Sequence, residues 1–384
     1  MSSKDSFTPD SVPVCVFGGG NGWGKRVAET MRTAGFDVRI VEKDASPAEI
    51  GHAIANSALL FVAIPDQAIN SLLQDHGKAM HSRMLIDCAT NKSGFSERLQ
   101  ELAINGVSIC SSHPMAVSSA ALRGQNVLLM PIGSNAVAAE NAAHRIYDLL
   151  GMRIARIDFV QHGEIMALVQ LLPHLVQRVF IDALATGLAS QNLQIADLTT
   201  LASANYLLAE LGLGRVAAQR GEVSAGIIAT GVAGEFGRTL LTALRESLET
   251  IQKTSDSRSG LAALFDAATQ QIDPEGGWRK DMAVKSEAAL IRLGNLRSRS
   301  LAIEAPNRIG MLRDILTVLA RNGIDMTALD SQLITDADGS ERVRFEIGIS
   351  NSHLPQESIR RELESIGVCL HNNDTIEKQG HSFP

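Results

Sequence analysis

The 384-residue sequence is poor in several features that mark whole classes of protein. Aromatic residues make up only 4% of the chain, too few for the stacking platforms that bind single-stranded nucleic acid. Lys and Arg number 35 against 42 Asp and Glu, so the net charge is −7 and no basic excess is present to neutralise phosphates. These shortages argue against a nucleic-acid-binding protein.

Long apolar runs are also missing. The longest, such as residues 58–65 and 127–131, fall well short of the roughly 20 residues that a membrane span needs. The first ten residues are polar and contain no apolar segment of the secretory type. The four cysteines lack CxxC spacing, and three of them lie inside apolar, strand-like runs. We therefore expect a soluble cytoplasmic protein with buried, reduced thiols.

With 45% hydrophobic and 20% charged residues, a chain of this length predicts two or three folded domains. Residues 1–12 are expected to form a disordered tail. Residues 13–158 alternate short β-branched runs with helical stretches, which is typical of an α/β domain with a doubly wound parallel sheet. Residues 159–296 repeat apolar positions at helical spacing and predict an all-helical domain. Residues 297–377 predict a small α+β domain of βαββαβ order, and 378–384 a polar tail.

A glycine-rich turn follows the first predicted strand. Residues 14–24 read Val-Cys-Val-Phe-Gly-Gly-Gly-Asn-Gly-Trp-Gly, and such glycines let backbone N–H groups approach a pyrophosphate at a helix N-terminus. Aligned on its last glycine, the motif is Gly19-x-Asn21-x-x-Gly24, with Asn at the middle position. Glu42 follows about 20 residues later, where an acid can bind the adenosine ribose. The first domain is therefore predicted to be a Rossmann-type dinucleotide-binding domain.

The nature of the cofactor follows from the residues around this turn. The predicted cofactor-binding residues are Gly19, Gly20, Asn21, Gly22, Trp23, Gly24, Glu42, Lys43 and Pro65. Glu42 favours NAD because its carboxylate repels the 2′-phosphate of NADP, whereas Lys43 directly after it would offset that repulsion. NAD is the expected cofactor and NADP the alternative. A glycine turn that binds no nucleotide is the other interpretation of this segment.

Three further motifs follow in order. They are Ile-Asp-Cys-Ala-Thr-Asn-Lys at 86–92, His-Pro-Met at 113–115, and His-Gly-Glu-Ile-Met-Ala-Leu-Val-Gln-Leu-Leu-Pro-His at 162–174. In this combination residues 14–292 resemble the prephenate dehydrogenase family of tyrosine biosynthesis, also called cyclohexadienyl or arogenate dehydrogenases. The resemblance implies an NAD(P)-dependent enzyme that removes a hydride from C4 of a cyclohexadienyl ring and releases the ring carboxylate as CO₂. It also implies a homodimer that pairs through the helical domain.

The resemblance assigns catalytic roles to two residues. His113 matches the family's general base, and the unperturbed histidine pKa near 6.5 suits that task. It is expected just after a strand at 106–110, at the edge where α/β ligand crevices form. Thr90 takes the place of a family serine whose hydroxyl bridges substrate, base and nicotinamide. The structural alternatives are a loop histidine and a strand-end cap. Lys92 also matches the pattern, although a solvated lysine fits the sequence equally well.

The expected substrate-binding residues lie in the helical domain. They are His162, Gln170, His174 and Tyr206. The first three would share one face of a long helix, in which Pro173 must introduce a kink or a break. Core or interface histidines are the other interpretation. No acidic residue accompanies them at ligand spacing, so no metal site is expected.

Two departures from the family leave the substrate open. His-Pro-Met is followed by Ala116-Val117-Ser118 where the family has Phe-Gly-Pro, and Tyr206 is followed by Leu207 where the family has an arginine that pairs with a substrate carboxylate. Conversion of prephenate to 4-hydroxyphenylpyruvate is the first expectation. A modified prephenate (4-amino-4-deoxyprephenate) or arogenate is the alternative. A catalytically degenerate regulatory or binding protein is the alternative of another class.

The last predicted domain resembles an ACT domain of the kind that senses aromatic amino acids. The resemblance rests on Glu-Ala-Pro-Asn-Arg-Ile-Gly-Met-Leu at 304–312 and on residues 322–331. It implies an aromatic amino-acid effector bound by Asn307, Gly310 and Leu312. The family's Glu-Ser-Arg-Pro is Asp-Ser-Gln-Leu at 330–333, so an ACT domain that only dimerises is the alternative.

Overall fold

The computed structural model describes residues 12–118, 121–217, 221–297, 300–335, 341–349 and 357–371. The predicted tails lie outside these residues except for Val12, which is buried in the core. The chain forms two compact units. Unit 1 comprises Met1–Val176 and Gly221–Arg245, and unit 2 comprises Gln177–Arg220 and Glu246–Pro384. The start of the helical region thus groups with the first sheet, and the domain boundaries at 158/159 and 296/297 remain predictions.

Unit 1 is built on a seven-stranded sheet. Its strands are β1 (Val14–Phe17), β2 (Val38–Val41), β3 (Leu59–Val62), β4 (Met84–Asp87), β5 (Ser108–Pro114), β6 (Asn126–Ile132) and β7 (Arg153–Arg156). The strand order is β2-β1-β3-β4-β5-β6-β7. β1 and β3 are buried at every position, as expected of strands covered by helices on both faces.

Five helices cover the two faces of this sheet. They are α1 (Gly22–Thr33), α2 (Pro47–Ala55), α3 (Asp66–His76), α4 (Ser96–Ile104) and α5 (Val137–Leu149). Because side chains alternate along a strand, Val14 and Val16 join one apolar core with α1 and α5, while Cys15 and Phe17 join the other with α2, α3 and α4. The predicted doubly wound α/β class is confirmed.

One strand pair differs from the predicted parallel arrangement. β5 and β6 run antiparallel, with His113 opposite Leu128. A parallel pair needs a crossover of about a dozen or more residues, usually a helix. The chain between Pro114 and Asn126 is too short for one, so β6 returns directly beside β5. The edge strand β7 was not predicted, because its two arginines interrupt the apolar pattern.

Helices make up the next part of the chain. They are α6 (His162–Met166), α7 (Leu172–Gln191), α8 (Ile195–Leu201), α9 (Ala204–Ala217), α10 (Gly221–Ala233), α11 (Glu235–Thr254), α12 (Arg258–Ile272) and α13 (Gly277–Arg297). A π-helical turn, Ala167–Leu171, joins α6 to α7 immediately before Pro173. Proline has no N–H to donate within a helix, and the wider turn accommodates it without a break.

The helical stretch Phe159–Gln191 is 33 residues long and, by length and composition alone, apolar enough to cross a membrane. Three of its residues, Ala167, Leu171 and Leu175, nevertheless form a small buried apolar cluster of unit 1, and Ile228 of α10 and Leu240 of α11 pack against this cluster. Leu171 also lies close to Gly231 of α10, because a Cβ added to Gly231 would lie 2.8 Å from Leu171 Cδ2. We interpret the stretch as part of the folded chain.

The C-terminal part of unit 2 has the predicted βαββαβ order. Its elements are β8 (Ser300–Pro306), α14 (Met311–Arg321), β9 (Met326–Thr335), β10 (Glu341–Ile349), α15 (Glu357–Ser365) and β11 (Cys369–His371). The sheet order is β11-β8-β10-β9, with antiparallel neighbours. Of the predicted effector residues, Asn307 donates to Glu341 Oε2 at 2.7 Å, Gly310 begins α14 at a φ of 87°, and Leu312 packs against the core. Their effector role remains a prediction.

Candidate active site

Two glycines fix the turn between β1 and α1. Gly18 has a φ of 79°, and a Cβ there would lie 2.5 Å from the carbonyl oxygen of Ala63. A Cβ on Gly24 would lie 2.1 Å from the carbonyl oxygen of Gly18, so only glycine lets α1 pack this close to β1. The predicted cofactor residues began at Gly19 and missed Gly18. Its place directly after the strand was the signal that could have identified it.

The N-terminus of α1 is open to an anionic ligand. Its N-cap, Asn21, makes no side-chain capping hydrogen bond, and the first turn contains no acidic residue. Gly20, Asn21 and Gly22 are exposed, whereas Trp23 packs against the core beneath. The first backbone N–H groups of α1 are thus available to a phosphate.

The remaining predicted cofactor residues lie at the same edge of the sheet. Glu42 and Lys43 follow β2 and are exposed, and Pro65 follows β3 as the N-cap of α3. Glu42 Oε1 lies 3.0 Å from the position that a Cβ on Gly20 would occupy, so its carboxylate flanks the turn. The carboxyl ends of parallel strands are where ligand crevices form in α/β sheets. These residues fit a dinucleotide with an unmodified ribose.

His113 and His162 are in direct contact inside unit 1. His113 is 1% exposed and His162 is 5% exposed, and His113 Nδ1 lies 3.0 Å from His162 Nε2. Contrary to the expected loop position, His113 lies within β5, while His162 is the first residue of α6. The rings meet edge-on, with centroids 5.2 Å apart.

The environment keeps both imidazoles neutral. Burial, and then the positive charge of Lys92, lower the pKa of His113 to about 3. The same two causes lower the pKa of His162 to about 4. The expectation that His113 has an ordinary pKa near 6.5 is therefore wrong, because that value belongs to a hydrated ring. Near neutral pH, both rings are therefore uncharged.

A buried ion pair lies close to the contact between His113 and His162. Lys92 (5% exposed) pairs with Asp87 (1% exposed) at the end of β4. Lys92 Nζ also donates to the carbonyl oxygen of Ser112 at 2.8 Å, one residue before His113. The solvated interpretation of Lys92 is therefore wrong.

The Ser112 hydroxyl extends this network. It donates to the carbonyl oxygen of Asp87 at 2.6 Å and lies 2.7 Å from the hydroxyl of Tyr147. Since the single proton of Ser112 is used, Tyr147 is the donor in the second bond. Burial raises the pKa of Tyr147 and keeps it protonated. Sequence reasoning missed Asp87, Ser112 and Tyr147, although Asp87 stands in the quoted 86–92 motif.

The other predicted site residues are placed in different ways. Thr90 is exposed, three residues past the end of β4. Gln170 lies in the π-turn, and its carbonyl oxygen accepts a hydrogen bond from His174 Nδ1 at 2.8 Å. His174 Nε2 is buried without a partner among the described residues. Tyr206 belongs to unit 2, and its hydroxyl is also buried without a described partner. The substrate roles of these residues remain predictions.

Comparison with known proteins yields relatives by sequence and by fold. No protein-family model matches the chain. A probable arogenate/prephenate dehydrogenase from Methanocaldococcus jannaschii is 26% identical over 345 residues, which cover 82% of this chain and 75% of that protein. The T-protein of Enterobacter agglomerans is 23% identical over 223 residues, 58% of each chain.

Among solved structures, the Synechocystis arogenate dehydrogenase superposes with a TM-score of 0.52 at 16% identity, covering 68% of this chain and 99% of that one. This likeness concerns the fold alone. The chain is therefore a homologue of proteins named arogenate/prephenate dehydrogenase and carries a Rossmann-type dehydrogenase fold.

Proposed function

We propose that the chain is an NAD-linked dehydrogenase that oxidatively decarboxylates a prephenate-type ring, with prephenate itself as the first candidate. The observation that carries the proposal is the buried, neutral His113, held at the same carboxyl edge of the sheet as the glycine turn. The name of the M. jannaschii relative supports the same reaction class. A base and a dinucleotide turn on one sheet edge suit removal of a proton and a hydride from one small substrate.

The proposed cofactor site is the turn at Gly18–Gly24 with Glu42. The open N–H groups of α1 would bind the pyrophosphate, and the Glu42 carboxylate would accept hydrogen bonds from the adenosine ribose. Bound NAD would supply the hydride acceptor. Lys43 is exposed directly after Glu42, and its positive charge could partly offset the repulsion between Glu42 and the 2′-phosphate of NADP. NADP is therefore the second candidate after NAD.

The proposed role of His113 is to accept the proton of the hydroxyl group on ring carbon C4. As hydride leaves that carbon, the C–O bond gains carbonyl character and the hydroxyl becomes strongly acidic. A base with a pKa of about 3 can then accept the proton, although it is weak toward water. Loss of the ring carboxylate as CO₂ leaves an aromatic ring, which supplies the driving force. The exposed hydroxyl of Thr90 is proposed to orient the ring substituent.

Glu42→Ala should narrow the preference for NAD over NADP. The carboxylate is expected to bind the ribose hydroxyls of NAD and to repel the 2′-phosphate of NADP. Its removal should therefore weaken the binding of NAD and strengthen the binding of NADP. We expect kcat/KM for NAD to fall about tenfold or more, and the value for NADP to rise. Initial rates with each cofactor measure both changes. Asp44→Ala, two residues away, is the matched control, and an unchanged preference in Glu42→Ala would show that this acid does not contact the ribose.

The substrate is best identified by turnover. Formation of reduced cofactor would be followed with prephenate, arogenate and 4-amino-4-deoxyprephenate. Fastest turnover of prephenate is the expected result and would mean that another cation replaces the family arginine at Leu207. Preference for the amino analogue would make Leu207 and the segment Ala116-Val117-Ser118 specificity changes. NAD binding without turnover of any of the three would support the degenerate, regulatory alternative.

We further propose that two copies of the chain pair through the helical region. Large apolar side chains of this region are exposed in the single chain. They include Leu168, Val169, Val176, Val179, Phe180 and Phe236. A second copy would remove them from water, since apolar patches of this kind mark interaction surfaces. An aromatic amino acid at Asn307, Gly310 and Leu312 is the proposed effector of the βαββαβ part.

A further inference from the structure

We propose that His162 is a positioning residue for His113: it accepts the Nδ1–H of His113 and thereby keeps Nε2 of His113 free for the substrate proton. The inference deepens the proposed function and rests on it. It gives His162 a different role from the predicted direct contact with substrate, because His162 Nε2 is already engaged by His113.

The contact and the proposed reaction together require this division of roles. Two ring nitrogens 3.0 Å apart need one proton between them, since two bare lone pairs would repel each other. If His162 supplied that proton, the neutral His113 would carry its own proton on Nε2 and could not act as a base. If His113 supplies it, Nε2 is bare. Only the second tautomer is competent for the proposed reaction.

Both rings are held by fixed parts of unit 1. β5 is paired on one side with β4, through Ser111 opposite Asp87, and on the other with β6, through His113 opposite Leu128. His162 begins the helical stretch that Leu171 anchors against Gly231. The separation of the two rings is therefore set by the backbone. A mutation at residue 162 should change the chemistry of the contact before it changes the fold.

The surrounding charges do not compete with the pair for its proton. The charged groups that act on the two rings are Lys92 and Asp87, which are bonded to each other. When His113 takes the substrate proton, it becomes a cation whose Nδ1–H still points at His162. The hydrogen bond then becomes charge-assisted and stronger than in the ground state. His162 would thus stabilise the protonated base as well as orient the neutral one.

The test compares His162→Gln with His162→Leu. The amide oxygen of glutamine can take the place of His162 Nε2 as an acceptor, whereas leucine offers none. Nitrogen-15 NMR of the substrate-free protein reports the tautomer of His113, whose signals are assigned by their loss in His113→Asn. We expect Nδ1–H with a bare Nε2 in the wild type and in His162→Gln, and a shift toward Nε2–H in His162→Leu.

Kinetics form the second arm. We expect kcat to fall about 10²-fold in His162→Leu and only a few-fold in His162→Gln, with KM for NAD unchanged in both, as for loss of the group that orients a catalytic histidine. Wild-type His113 protonated on Nε2, or equal activity losses in the two variants, would overturn the proposal. Because the NMR arm needs no substrate, absence of turnover with every ring compound would count against the proposed function and leave the tautomer result readable.

Discussion

His113→Asn should lower kcat by about 10²- to 10⁴-fold, the usual effect of removing a general base. Asparagine can place its amide nitrogen where His113 Nδ1 lies, so the contact with His162 can persist while the nitrogen that accepts the substrate proton is lost. The cofactor turn is formed by other residues, so the Kd for NAD should change little. Steady-state rates and a separate titration of NAD binding measure the two quantities.

The control for this variant is His144→Asn. His144 is exposed on α5 and has no part in the proposed chemistry, so its replacement should leave kcat unchanged. Near-normal turnover in His113→Asn would remove His113 from the mechanism. Because the pKa of His113 is about 3, the ring stays neutral well below pH 6.5. Protonation of the base should therefore cause no loss of kcat/KM between pH 8 and pH 5.

Lys92→Met should lower the free energy of unfolding by about 3–5 kcal/mol, the typical cost of removing one partner of a buried ion pair. The methionine fills similar volume, but the carboxylate of Asp87 is left buried without its cation and the carbonyl of Ser112 loses a donor. Urea denaturation at pH 7 gives the change. The variant should also raise the pKa of His113, since the Lys92 charge is one of the two main causes that lower it.

Two controls separate the buried pair from lysine pairs in general. Lys285 forms an ion pair with Asp281 in which both side chains are more than half exposed, at 63% and 57%. Lys285→Met should change stability by less than about 1 kcal/mol. The double variant Lys92→Met with Asp87→Asn removes the stranded charge and should recover part of the loss. If Lys92→Met and Lys285→Met cost the same, the burial of Lys92 would have no energetic consequence.

Strands made of uninterrupted apolar residues were predictable from the sequence. The strand before the glycine turn was predicted and lies at Val14–Phe17, because a short run of β-branched and aliphatic residues between Pro13 and Gly18 favours a buried strand. β5 was predicted to end at Cys110 and in fact continues to Pro114. Its last part, Ser111-Ser112-His113, has the composition of a loop. The side chains of Ser112 and His113 are tolerated in the sheet because they find hydrogen-bond partners there.

The sequence identified residues of the candidate site, but it did not show their contacts or their pKa values. The motifs identified His113 and His162, but a contact between residues 49 positions apart depends on how α6 packs, which no local pattern shows. The low pKa of His113 was likewise hidden, because burial is a property of the folded chain. The five-residue spacing from Asp87 to Lys92 matches no helical or strand period. The sequence pattern therefore did not predict a buried ion pair between these two residues.

The neutral histidine pair also makes the stability of the fold depend on pH. In the unfolded chain both rings bind protons below a pKa near 6.5. In the folded protein they do so only near pH 4 at His162 and pH 3 at His113. Their contribution to stability is therefore complete above pH 6.5 and is lost progressively as the pH falls from 6.5 toward 3. The burial that keeps the proposed base unprotonated at neutral pH thus makes the fold around it sensitive to acid.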